Sequence, residues 1–138
     1  DAQHLAAEML VRLSPKKNRK PFPVLSLCTD TSTLTACSND YGFSKIFERN
    51  LNAFGNSGDV LLAISTSGNS LNVIKAIKLA KKKKIKSVGF LGLNGGKAKR
   101  IVDIPIIVDS NNIARVQEVH IFLGHFIFQE LENLLIKN

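Results

Sequence analysis

Six consecutive residues, Ser65-Thr66-Ser67-Gly68-Asn69-Ser70, place four hydroxyls where an unbroken apolar run, Val60 to Ile64, gives way to helical spacing from Leu71. A helix N-terminus offers unpaired N–H groups and about half a positive charge, and hydroxyl donors gathered around it suit a phosphate. The plainer alternative is a Ser/Thr-rich turn in which Ser70 caps the helix. There is no Gly-x-x-x-x-Gly-Lys loop and no Gly-x-Gly-x-x-Gly fingerprint, which disfavours nucleoside triphosphates and dinucleotides.

Two other groups could do chemistry. His4 and Glu8 stand four apart in a helical pattern, so they share a face and could share a metal ion or a proton; a satisfied surface pair is the bland alternative. Near the C-terminus, Gln117, Glu118, His120 and His125 interrupt an apolar segment that includes Val119, Ile121, Phe122, Leu123, Phe126, Ile127 and Phe128. Polar groups in such a helix must find partners. They are either hydrogen-bonding core residues or the lining of a cavity where two of these helices meet.

The elements that hold these residues follow from hydropathy. Asp1 to Arg12 has a helical period through Leu5, Met9 and Leu10 and opens without a preceding cap. Ser14 to Pro23 contains Pro15, Pro21 and Pro23 among charges and reads as an exposed connection, followed by Val24 to Cys28 as a short buried strand. After Asp30 comes a weakly helical stretch led by Thr31-Ser32-Thr33, then a turn at Asn39-Asp40-Tyr41-Gly42. Ser44 is expected to cap the next helix, whose stripe is Ile46, Phe47, Leu51 and Phe54, with Gly55 and Gly58 ending it. Strand Val60 to Ile64, helix Leu71 to Lys84, strand Ser87 to Leu91, a short helix at Gly96 to Ile101, strand Ile104 to Val108 and a long helix from Asn112 to Ile136 complete the chain. Strands that are apolar throughout and alternate with helices predict a parallel α/β sheet covered on both faces.

Composition narrows the class. A chain of 138 residues that is 44% hydrophobic and 22% charged, with 4 prolines, fits one folded domain rather than a disordered or fibrous chain. No apolar run reaches the roughly 18 residues of a membrane span, and Asp1 starts neither a signal peptide nor a translated chain, so a soluble, truncated protein is expected. Cys28 and Cys37 lack disulfide-framework or metal spacing, which suits a reducing cytosol. The net charge of +8 gathers in Lys16-Lys17-Asn18-Arg19-Lys20 and in Lys81 to Lys84 plus Lys86, with almost no interleaved aromatics. These runs read as solvated faces rather than a nucleic-acid surface.

The motifs together resemble the SIS-domain (sugar isomerase) family. Asp1-Ala2-Gln3-His4-Leu5-Ala6-Ala7-Glu8, Thr29-Asp30-Thr31-Ser32, Asn39-Asp40-Tyr41-Gly42-Phe43, Ile64 to Ser70 and Ala114-Arg115-Val116-Gln117-Glu118-Val119-His120 fall in that family's order and spacing over essentially the whole chain. The resemblance implies a flavodoxin-like, three-layer parallel sheet with phosphate on Ser65, Thr66, Ser67 and Ser70. It also implies a cytoplasmic homotetramer with active sites at subunit interfaces. The members most like it convert sedoheptulose 7-phosphate to a manno-heptose 7-phosphate, the first step towards the ADP-heptose of lipopolysaccharide.

Carried over residue by residue, Glu8 resembles the base that moves a proton between C1 and C2, and His125 its acid partner. His4, Glu8, Gln117 and His125 match the family's zinc ligands, while Arg12, Asn39 and Asp40 would contact the sugar or its phosphate, and Gln117 the substrate. Gln117 and His125 are eight residues apart, about 12 Å on one straight helix. The helix bends, a neighbouring subunit supplies one ligand, or His120 replaces His125. The sequence departs from the family pattern twice. A Gly-Asn-Gly-Gly-Ser loop and its strand, expected directly before Asp1, are absent, which marks an N-terminally truncated single domain. Asn111-Asn112-Ile113 stands where relatives have Asp-Asp-Thr, although Asn112 can still cap the helix. A non-catalytic relative of the same fold that associates with the bacterial replication initiator is the competing expectation.

Overall fold

The computed structural model describes residues 1–28 and 30–137; Thr29, part of one family motif, lies outside the described residues. Helices α1 (Ala2–Leu10), α2 (Thr31–Tyr41) and α3 (Ile46–Phe54) lead into strand β1 (Val60–Ser65). Helix α4 (Leu71–Lys82), strand β2 (Lys86–Gly92), strand β3 (Ile104–Val108) and helix α5 (Ile113–Ile136) follow, with 3₁₀ turns at Phe43–Lys45 and Ala98–Arg100. The strands lie in the order β1-β2-β3, all parallel, with Ser65 opposite Leu91 and Gly92 opposite Val108.

Successive strand residues face opposite ways, and β2 shows what each face meets. Leu91 joins a core with Leu51, Leu61, Ala63, Ile77 and Ala80 on the α3/α4 side. Its neighbour Phe90 turns to the other side, where the His120 ring of α5 lies 5.8 Å away. Helix α1 packs on α5 through fully buried Leu5. Three layers result, as expected.

Several local expectations need correction. Val24 to Cys28 forms no strand. No strand lies beside it among the described residues, so its polar groups are met singly: Phe22 O accepts from Val24 N–H, Leu27 O from Asn50 and Cys28 O from Gln3. Ser44 does not cap α3, because it sits inside the 3₁₀ turn and its hydroxyl accepts from Lys75 Nζ at 2.7 Å. Asn39, Asp40 and Tyr41 complete α2, and the turn is Gly42 alone at φ +85°. β3 is an edge strand and is half exposed rather than covered on both faces, with Ile104 at the surface. The Gly96 to Ile101 helix contracts to the 3₁₀ turn at Ala98–Arg100. The first basic run is not wholly solvated: the Arg19 side chain is buried against Glu132. Asn112 caps α5 as anticipated, its Oδ1 accepting from Arg115 N–H.

Candidate active site

Helix α1 is short, and burial of Leu5 and Met9 fixes which face it turns to the protein. Leu5 lies over Gly124 of α5, where an added Cβ would come within 2.7 Å of Leu5 Cδ1. That absence of a side chain lets the two helices approach closely. On the neighbouring face, His4 and Glu8, one turn apart, meet His125, the residue after Gly124.

The three side chains form one cluster. Glu8 Oε1 lies 3.1 Å from His4 Nε2 and 3.4 Å from His125 Nε2, and the two Nε2 atoms are 2.9 Å apart. The imidazoles stand edge to face at 67°. Glu8 Oε2 is buried and finds no hydrogen-bond partner among the described residues, whereas both histidines remain partly open to solvent. A carboxylate held between two imidazoles can shuttle a proton, and the three donor atoms lie within 4.8 Å of one another, compact enough to share a cation.

His120 takes no part in this cluster. It is fully buried against Phe90, and neither ring nitrogen makes a hydrogen bond of normal geometry among the described residues. Burial pushes its pKa down, opposed in part by the Leu91 backbone, so the imidazole is held neutral. His125, not His120, is therefore the histidine of α5 that reaches His4 and Glu8. Gln117 is exposed, two turns before His125 on an unbroken helix, and no hydrogen bond links it to the three among the described residues.

A second polar region lies at the C-terminal end of β1. The Gly68 N–H donates to Ser65 Oγ at 3.1 Å, Ser65 Oγ donates to Ser70 Oγ at 3.3 Å, and the Asn69 N–H donates to Ser67 Oγ at 3.1 Å. Ser70 precedes α4 but bonds none of its N–H groups, so the capping alternative is not what its hydroxyl does. The loop is braced from outside: the Ala98 N–H donates to Gly68 O, and the Lys97 N–H to Asn69 Oδ1. Gly68, at φ +62°, is required, since a Cβ there would fall 2.0 Å from Gly95 O. The first turn of α5 borders this loop, because a Cβ on Gly92 would meet both Thr66 O and Val116 Cγ1.

Arg12 is exposed just beyond α1. Asn39 and Asp40 are exposed at the end of α2, bonded to each other at 2.9 Å. The structure thus brings His4, Glu8 and His125 together and orders the Ser65 to Ser70 loop, and it shows no hydrogen bond or ion pair from Arg12, Asn39, Asp40 or Gln117 to either group among the described residues. The buried pair Arg19–Glu132 went unread in the sequence; of the two acids late in α5, Glu130 and Glu132, the second falls between Leu131 and the Leu134-Leu135-Ile136 run, and that was the available signal.

Residues 1–92 match the SIS domain family. The phosphoheptose isomerase of Leptospira biflexa is 46% identical over 135 residues, an alignment covering 98% of this chain and 69% of that protein. Among solved structures, phosphoheptose isomerase from Neisseria gonorrhoeae superposes with a TM-score of 0.85 at 40% identity, covering 96% of this chain and 70% of that one. The Francisella tularensis enzyme gives 0.86 at 36% identity, covering 92% and 67%. This chain belongs to the SIS-domain family. The relatives named here are phosphoheptose isomerases, and none of them is named for association with a replication initiator.

Proposed function

We infer that this protein is an aldose–ketose isomerase that converts sedoheptulose 7-phosphate to D-glycero-D-manno-heptose 7-phosphate, the entry to the ADP-heptose of lipopolysaccharide. The observation that carries the reading is the convergence of His4, Glu8 and His125 in a chain 46% identical to a phosphoheptose isomerase. The exchange needs a base at the C1–H, an acid for the oxygen and stabilisation of the enediolate between them. Glu8 takes the C1 proton and returns one to C2, while His125 moves the proton between O2 and O1. The Ser65, Thr66, Ser67 and Ser70 loop at the start of α4 holds the phosphate, and Arg12, Asn39, Asp40 and Gln117 contact the sugar or its phosphate.

His4, Glu8 and His125 also fit a zinc ion: two imidazoles and a carboxylate are a common zinc donor set, and the buried Oε2 of Glu8 is a second carboxylate oxygen with no partner among the described residues. When bound, zinc would supply electrophilic stabilisation of the enediolate oxygens. Gln117, which the family resemblance adds to this set, would reach the ion from a second subunit, a reading favoured by the unbroken α5 and by His120 being turned into the core. Exposed Phe122 and Phe126, one turn apart on α5, favour association with further copies of the chain, for which the family resemblance implies a homotetramer. No helix among the described residues is long and apolar enough to cross a membrane. Incubating the full chain with sedoheptulose 7-phosphate and zinc should yield the aldose by NMR; no aldose, with the protein folded, would overturn the reading.

A further inference from the structure

Helix α1 has an unusual ending for one that carries a reactive carboxylate. It stops at Leu10, and the carbonyls of Glu8 and Met9 are left outside the helical ladder. In a continued helix the Leu13 N–H would close onto Met9; instead it donates to Glu132 Oε1 at 3.3 Å. No glycine completes the end, where the C-cap is Val11.

Arg19 takes those carbonyls. Its Nη2 donates to Glu8 O at 2.9 Å and its Nη1 to Met9 O at 2.9 Å, while its Nε donates to Glu132 Oε1 at 2.7 Å. Phe22 packs under the guanidinium, 4.2 Å from its carbon. The Arg19 side chain is 3% exposed and that of Glu132 is 0% exposed, so the pair is sealed from water. Glu132 lies seven residues beyond His125 on α5, two turns along the same face. One guanidinium therefore ties the backbone of Glu8 to the helix that carries His125.

We propose that Arg19 is a positioning residue for catalysis, holding the Glu8 carboxylate at its distance from His125 by bridging the Glu8 carbonyl to Glu132. The inference rests on Glu8 and His125 being the acid/base pair. A planar fork reaches two carbonyls and a carboxylate at once, which a lysine ammonium cannot. The salt link alone would be a packing device; the bond to Glu8 O connects it to the reacting group.

The test is Arg19→Lys in the full chain, beside wild type and Glu132→Gln, with folding checked by circular dichroism and assembly by light scattering. A misplacement of about 1 Å at a reacting group costs up to about 10²-fold, so kcat for sedoheptulose 7-phosphate should fall about 10- to 100-fold with KM within about threefold. Zinc affinity, read by chelator competition, should weaken about tenfold. The double variant should be no worse than the poorer single one, as expected of one linkage. A folded Arg19→Lys protein with wild-type kcat and zinc affinity, or one in which only KM rises, overturns the proposal and leaves the isomerase reading intact. If wild type shows no turnover, the zinc arm decides, equal affinities overturning the proposal. A wild type with neither turnover nor zinc binding overturns both.

Discussion

The Ser65 to Ser70 loop closes on itself within six residues, whereas the His4–Glu8–His125 cluster joins side chains 121 positions apart. The loop draws its hydroxyls, strand end and helix start from one stretch of sequence, and Gly68 lets the Gly95 to Ala98 backbone close in to brace it. The cluster depends on two helices meeting at Leu5 and Gly124 and on a buried ion pair at their far end. A region built locally should fail through its own backbone; one built from distant elements should fail wherever their docking is disturbed.

The largest structural effect should come from the loop. Gly68→Ala puts a Cβ 2.0 Å from Gly95 O at a left-handed φ, and neither backbone can yield cheaply. A loss of about 3 kcal/mol in denaturant unfolding is expected, together with weakened phosphate binding. Gly124→Ala breaks the other region and should do less. Helix propensity gains about 1 kcal/mol, but the new methyl presses on the ends of buried Leu5, so a net loss of about 1 kcal/mol is expected, with a larger proportional fall in kcat than in phosphate affinity. Equal effects of the two substitutions on phosphate binding would dissolve the distinction.

The smallest effect is a pH dependence. Burial acts to raise the Glu132 pKa, but hydrogen bonds from Arg19 and Leu13 and the charges of Arg19 and Lys17 outweigh it and hold the carboxyl below its ordinary 4.5. A depressed folded-state pKa means a stabilisation present above about 4.5 and lost as pH falls through the folded value. Thermal melting from pH 6 to pH 3 should therefore show wild type and Glu132→Gln converging in the acid range. A constant gap would remove Glu132 from the acid response.

The same contrast decides how much could be read before the structure. Every strand of the sheet and α5 with its Asn112 cap were legible, because periodicity and capping are local. Val24 to Cys28 was misread because an apolar pentapeptide cannot reveal whether a ladder partner lies beside it. Ser44 was misread because Lys75, 31 residues away, takes its hydroxyl. His4 and Glu8 could be paired from spacing, but only resemblance joined them to His125, and spacing left His120 in contention until its burial against Phe90 was known. Arg19 looked like one more surface cation in a basic run; its partner lies 113 residues on.

The account turns on Glu8 moving a carbon-bound proton within the α1/α5 cluster. The direct measurement is isomerisation in D2O followed by NMR, comparing wild type with Glu8→Gln in folded, equally assembled protein. Wild type should deliver aldose bearing deuterium at C2, and Glu8→Gln should lose both turnover and exchange by about 10²- to 10⁴-fold. Undiminished deuterium incorporation in Glu8→Gln would contradict the account and place the base elsewhere in the chain.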